Sequence, residues 1–165
     1  MRFSLFYNCD ITPNTSVHDL YQEIESQAML ADRLGFDAIY LAEHHFKVYG
    51  RQPAPLVSLA RLSGLTRQIA LGTAVVEAPF YNPLRLAEDA ALLDVLSGGR
   101  LRLGIGSGAK MKAEEFEKFG ISIEEKSKRT LETVEILRQA FDEGIVHFNG
   151  NFYEFTDVEI TPSPV

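Results

Sequence analysis

The chain has 165 residues, 45% of them hydrophobic, and a formal net charge of −7 from 16 basic and 23 acidic side chains. That length fits a single domain over 1–165 with its own core, and an acidic chain with scattered charges argues against nucleic acid, whose phosphates need a basic face. No apolar run approaches the ~20 residues of a membrane span.

Arg2 to Tyr7 ("RFSLFY") reads as a first strand. Its short apolar stretch lacks a small-residue cleavage site and so does not make a signal peptide. The polar loop "NCDITPNTS" follows, with Cys9 as the only cysteine. No internal disulfide can form, which fits a cytoplasmic protein, and Cys9 reads as a small buried apolar residue rather than a nucleophile. Ser16-x-x-Asp19 resembles a capping box opening a helix. Leu20, Tyr21, Ile24, Ala28, Ala31 and Leu34 then recur at helical spacing, and Gly35 suits the left-handed position that ends a helix.

Ala38 to Ala42 is a short apolar run of strand character. The loop "KVYGRQPAP" leads to a helix around Leu56 to Ser63, and "IALGTAVV", Ile69 to Val76, makes a third strand. Asn82 is placed as an N-cap before Pro83, and "LRLAEDAALLDVL" reads as a helix reaching Gly98-Gly99. "LRLGIG", Leu101 to Gly106, gives a fourth strand. A short helix at "AEEFEKF" and a second capping box, Ser122-x-x-Glu125, precede helical spacing at Leu131, Val134, Leu137 and Phe141. Last comes "IVHFNGNFYEF", where Asn149-Gly150 between apolar-rich runs signals a hairpin.

Strands alternating with helices imply an α/β fold with a parallel sheet covered by helices. Either an open doubly wound sheet or a (β/α) barrel satisfies this order. In both, ligands gather at the carboxyl ends of the strands.

Glu43, His44 and His45 stand at such an end. On an extended strand Glu43 and His45 point to one side and His44 to the other. An imidazole there can transfer a proton near neutral pH or touch a ligand. A metal site, as in an α/β hydrolase using both histidines, is the weaker reading, because adjacent histidines on one strand chelate poorly. "GIGSGA", Gly104 to Ala109, allows close backbone approach to a ligand but equally serves a tight turn. It lacks the spacing of a dinucleotide or phosphate loop. "GTAVVEAPFYNP" either lines a flat pocket or packs Phe80 and Tyr81 on the core. Arg85, Glu88, Asp89, Asp94 and Arg100 read as helix-surface pairs and caps.

Together "GFDAIYLAEHHF", the spaced set "LGTAVV..P...P.R.AED.A.LD.LS.GR...GIG.G" and the late "NGNFYEF…ITPSP" resemble the bacterial luciferase-like monooxygenases, which are flavin-dependent oxidoreductases. The resemblance favours the barrel: a TIM-barrel type (β/α) fold, here about the first four βα units plus a β-hairpin. It implies reduced FMN, or the deazaflavin F420, as cofactor. It further implies oxidation of an aldehyde-like or other small organic substrate with O2, and a flavin reductase as possible partner. His44 matches the family's catalytic histidine. Glu43, His45, Ala74, Val75, Gly106 and Ser107 match cofactor-side positions, and Ala74-Val75 matches a non-proline cis peptide found in many members. The family pattern has a cysteine and an arginine where Gly106 and Ser107 stand, which excludes cysteine chemistry there and leaves one flavin-phosphate contact open.

A full (β/α)₈ barrel takes about 200 to 400 residues. Four βα units leave two sheet edges and an uncovered inner face, which invite pairing; a homo-oligomer is therefore expected. The alternative is a flavin-binding or assembly module with little activity alone.

Overall fold

The computed structural model describes residues 1–12, 14–47 and 50–165. Pro13 of the first loop, and Val48 and Tyr49 of "KVYGRQPAP", lie outside the described residues. In chain order the elements are β1 (Ser4–Tyr7), α1 (Val17–Leu34), β2 (Ala38–Leu41), α2 (Pro55–Ser63), β3 (Ala70–Thr73), β4 (Val76–Glu77) and α3 (Pro83–Ser97). Then come β5 (Leu101–Arg102), β6 (Ile105–Gly106), α4 (Ala113–Lys118), α5 (Lys126–Asp142), β7 (Ile145–Asn149) and β8 (Glu154–Glu159). Packing divides the chain into two compact units, one of Met1–Val76 with Leu96–Gly104, the other of Glu77–Val95 with Ile105–Val165.

The first unit holds a four-stranded parallel sheet in the order β1-β2-β3-β5. Register places Leu5, Ile39 and Leu71 in one row and Phe6, Tyr40, Gly72 and Arg102 in the next. Adjacent rows face opposite sides. Ile39 and Leu71 are wholly buried, each contributing about 1.5–3 kcal/mol by leaving water. On the other face the Tyr40 ring fills the space over Gly72, where an added Cβ would meet it at 2.3 Å.

Helix α1 is amphipathic because its apolar residues recur every three to four positions; Leu20, Ile24, Ala28 and Ala31 are buried. Its start is the expected capping box: Ser16 Oγ accepts the Asp19 N–H (3.0 Å) and Asp19 Oδ2 accepts the Ser16 N–H (3.3 Å). Its end is Gly35 at φ +77°, with the Phe36 N–H returning to Ala31 O (3.0 Å). One turn earlier, buried Asp32 accepts the N–H groups of Arg67, Gln68 and Ile69 at 2.9, 2.8 and 2.7 Å. A carboxylate on a helix thus holds the entry to β3. Arg100, expected on the surface, braces the same corner: its guanidinium donates to Thr66 Oγ1 (2.8 Å), Ile69 O (3.0 Å) and Ser63 O (2.9 Å).

Two strands expected to be continuous are broken. The third, expected over Ile69 to Val76, stops at Thr73, and the Ala74–Val75 peptide that follows is cis. The fourth, expected over Leu101 to Gly106, is interrupted after Arg102 because the Thr73 hydroxyl takes over the pairing. It accepts the Gly104 N–H (2.9 Å) and donates to Gly104 O (2.8 Å). A Cβ on Gly104 would sit 2.3 Å from Thr73 O, so no side chain fits.

In the second unit Asn82 caps α3 as expected, its Oδ1 accepting the Leu84 N–H (3.0 Å). Phe80 packs against Phe116 and Phe119 with ring centroids 4.7 and 4.4 Å apart. The second capping box does not form. Ser122 makes no side-chain cap bond, and a 3₁₀ turn over Ile123–Glu125 precedes α5. The Glu125 carboxylate instead pairs forward with Arg129 (2.9 Å). The hairpin forms, but β7 and β8 close on the pair Asn149–Glu154 with a four-residue loop rather than a two-residue Asn-Gly turn. Glu132 of α5 dictates this, accepting the N–H groups of Asn151 (2.7 Å) and Phe152 (3.0 Å). Among the described residues no helix is long and apolar enough to cross a membrane.

Candidate active site

Parallel strands in register bring the residues after Tyr7, Leu41 and Thr73 to one end of the first unit's sheet. The Ala42 N–H donates to Tyr7 O (3.0 Å) and the Ala74 N–H to Leu41 O (2.8 Å). Asn8, His44 and the Ala74–Val75 pair therefore share that end.

Alternation persists past the last residue of β2. Glu43 and His45 meet on one side, with His45 Nε2 2.7 Å from Glu43 Oε1. Glu43 is only 2% exposed. His44 turns the other way, where its Nε2 lies 2.6 Å from Asn8 Oδ1. Both imidazoles are half-buried.

The segment around Gly50 to Gln52 locks this end. His44 N–H donates to Gln52 O (2.9 Å), Arg51 N–H to Cys9 O (2.8 Å), and the Tyr21 hydroxyl to Arg51 O (2.5 Å). The Gly50 N–H donates to Asp10 Oδ1 (3.0 Å), and Asp10 Oδ2 accepts from Asn8 Nδ2 (2.9 Å). Asn8 and Asp10 were invisible to pattern reading, which saw only a polar loop. The signal was nevertheless available: Asn8 follows the last residue of β1 as directly as the Glu-His-His run follows β2.

Cys9 is buried at φ +60°. Burial pushes its thiol up, and despite the contact from Gln52 it rises to about 11. It is a protonated filler at neutral pH, not a nucleophile. His147, in the hairpin, faces Asp157 on the surface (3.0 Å). Among the described residues no three His, Cys, Asp or Glu side chains are grouped to hold a metal.

Gly106 and Ser107 lie in the second unit, where Lys126 Nζ donates to Ser107 Oγ (3.1 Å) and Gly108 O (2.8 Å). The glycines of this stretch have packing reasons. A Cβ on Gly108, at φ +75°, would meet the Phe116 ring at 2.9 Å and Glu77 Oε2 at 3.1 Å. Beside it, buried Lys112 donates to Glu77 Oε1 and lies 3.8 Å from Glu115 Oε2. Sequence reading missed this trio, since its members lie on separate elements without a shared period.

The strand-end arrangement fits a flavin. Ala74 and Val75 are half-exposed at the tip of an otherwise buried strand. A methyl and a short branched side chain leave the backbone open to a flat ring. Their peptide is cis, the form that the resemblance implies. A half-buried imidazole, His44, stands at the end of the neighbouring strand.

Comparison with known proteins places the chain in a family. The family model "Luciferase-like monooxygenase" matches residues 1–165. The oxygenase component of the flavin-dependent trigonelline monooxygenase from Acinetobacter baylyi is 33% identical over the whole chain, which covers 46% of that protein. The crystal structure of monooxygenase RslO1 from Streptomyces bottropensis superposes with a TM-score of 0.93 at 35% identity, covering 99% of this chain and 50% of that one. Two more distant structures share the fold alone. They are the oxygenating constituent of 3,6-diketocamphane monooxygenase from Pseudomonas putida, in complex with FMN (TM-score 0.86, 22% identity), and the coenzyme F420-dependent tetrahydromethanopterin reductase from Methanopyrus kandleri (TM-score 0.74, 19% identity). The chain covers 96% and 99% of its own length in these matches and 45% and 46% of theirs. It thus spans about half the length of the relatives it matches, and corresponds to a partial TIM barrel. The chain belongs to the luciferase-like monooxygenase family.

Proposed function

We propose that this chain carries the proton-transferring histidine and part of the cofactor surface of a flavin-dependent monooxygenase. That enzyme oxidises a small, aldehyde-like organic substrate with O2, and the cofactor is reduced FMN. The observation that carries the reading is His44: a half-buried imidazole fixed at the carboxyl end of β2, one strand from the half-exposed Ala74–Val75 surface. When bound, reduced flavin supplies the electrons that activate O2. His44 holds or moves a proton beside it. Glu43 and His45, hydrogen-bonded to each other, are cofactor-side residues, and Ala74 and Val75 offer the ring a surface. In the second unit, Gly106 and Ser107, held by Lys126, are the remaining cofactor-side candidates.

A separate flavin reductase is the partner this reading calls for, supported by the A. baylyi relative's designation as an oxygenase component. A cytoplasmic location suits such a reduced cofactor and a chain with one buried thiol. The test is anaerobic titration with reduced FMN, followed by turnover of a long-chain aldehyde with NADH and a flavin reductase. Saturable binding and carboxylic acid product are expected. His44→Ala should abolish product while the folded spectrum is unchanged; undiminished turnover would refute the role of His44. Binding of F420 in place of FMN would reassign the cofactor. A second reading, a binding or assembly module with little activity alone, is favoured by the chain's spanning 46% of its relative. It predicts flavin binding without product.

A further inference from the structure

We infer that Asn8 is the residue that fixes the tautomer of His44, holding the neutral imidazole with its proton on Nε2. The chain of reasoning starts at Asp10. A carboxylate offers only acceptors. Asp10 Oδ1 accepts the Gly50 N–H (3.0 Å), and Oδ2 lies 2.9 Å from the Asn8 amide. The group that Asn8 turns towards Asp10 must therefore be its NH₂, the only donor it has. Its carbonyl oxygen is then the atom 2.6 Å from His44 Nε2. A carbonyl cannot donate, so the proton in that bond belongs to Nε2, and Nδ1 carries the lone pair of the neutral ring. Nδ1 is accordingly the nitrogen that gains and loses the proton when His44 titrates.

The same carboxylate fixes the ring's position. By holding the Gly50 N–H, Asp10 seats Gly50 on the imidazole, where an added Cβ would lie 2.2 Å from Cδ2. Asp10 thus controls His44 twice, through the Asn8 amide and through Gly50. Asn8 is a positioning residue, acting on the proton-transfer group and not on substrate. Its importance to turnover rests on the function proposed above. The tautomer itself belongs to the cofactor-free chain, so the two can fail separately.

The experiment is a long-range ¹H–¹⁵N correlation spectrum of the cofactor-free protein labelled in histidine, with the His44 signals assigned by their loss in His44→Gln. Above the pH at which His44 titrates, wild type should show a protonated Nε2 and an unprotonated Nδ1. Asn8→Leu removes the acceptor at similar volume and should raise the Nδ1–H to Nε2–H ratio about fivefold, the ratio a hydrogen bond of ordinary net strength sustains. A merely structural role for Asn8 would leave the ratio alone in any variant that folds. A wild-type spectrum with the proton on Nδ1, or an unchanged ratio in Asn8→Leu, overturns the assignment. Should Asn8→Leu fail to fold, Asn8→Ala takes its place with the same expected rise in the ratio.

Discussion

Gly50 lies directly against the His44 imidazole, at φ +61°, with no room between them for a methyl group: its Cβ would fall 2.2 Å from Cδ2 and 2.7 Å from Cγ. Two penalties therefore coincide at one residue. A left-handed backbone costs an L-residue roughly 1–2 kcal/mol, and the ring must move to admit the new atom. Gly50→Ala should lower the urea midpoint and shift the His44 ring resonances together. A variant with wild-type stability and unmoved His44 signals would show that the loop yields instead of the ring.

Asp32 should be among the most costly residues of the first unit to remove. Its carboxylate accepts three backbone N–H groups, at 2.7 to 2.9 Å, from Arg67, Gln68 and Ile69. A buried donor left without a partner costs about 1–3 kcal/mol, so Asp32→Ala should lose about 3 kcal/mol or more in urea unfolding. Burial alone would push this carboxyl up. The three N–H donors and then the Arg100 guanidinium outweigh it and hold it below its ordinary value of 3.8. Its stabilisation is therefore complete above that value and is lost as pH falls through the depressed one. Acid titration of the urea midpoint should show a larger loss in wild type than in Asp32→Ala.

Much of this is legible in the sequence. The period of α1, its capping box and Gly35 each satisfy a local rule, and local rules survive folding. So did the strand tip at Glu43 to His45, because alternation is a property of extended backbone. What escaped was long-range. Asp32 and Arg100 look like helix-surface charges until the chain returns 35 to 37 residues later to meet the first and 31 to 37 residues away to meet the second. Asn8 lies 36 residues from the histidine it holds. The four-residue hairpin loop overrode the Asn-Gly signal because Glu132, on another element, offered its amides a carboxylate. Polar partners chosen by topology leave no periodic trace.

Expressed as these 165 residues alone, the chain should self-associate through the sheet of the first unit. Its order puts β1 and β5 at the edges, and Phe3 and Phe6 near the β1 edge are each 60% exposed. Open strand edges flanked by apolar side chains template pairing with another chain. Light scattering at micromolar concentration should give a mass at least twice the 18.4 kDa of one chain. A stable monomer would sink this expectation. Phe3→Lys with Phe6→Lys should shift the population towards monomer if these residues form the contact.

Lys112 is the buried cation of the second unit, donating to Glu77 and lying 3.8 Å from Glu115, and all three are less than 10% exposed. Removing one partner of a buried ion pair typically costs about 3–5 kcal/mol. Lys112→Met substitutes an apolar side chain of similar size, so packing should change little and electrostatics much. The variant should be about 3 kcal/mol less stable than wild type, read from urea midpoints at pH 7.5. A loss below about 1 kcal/mol would mean that the trio is solvated enough to do without its lysine.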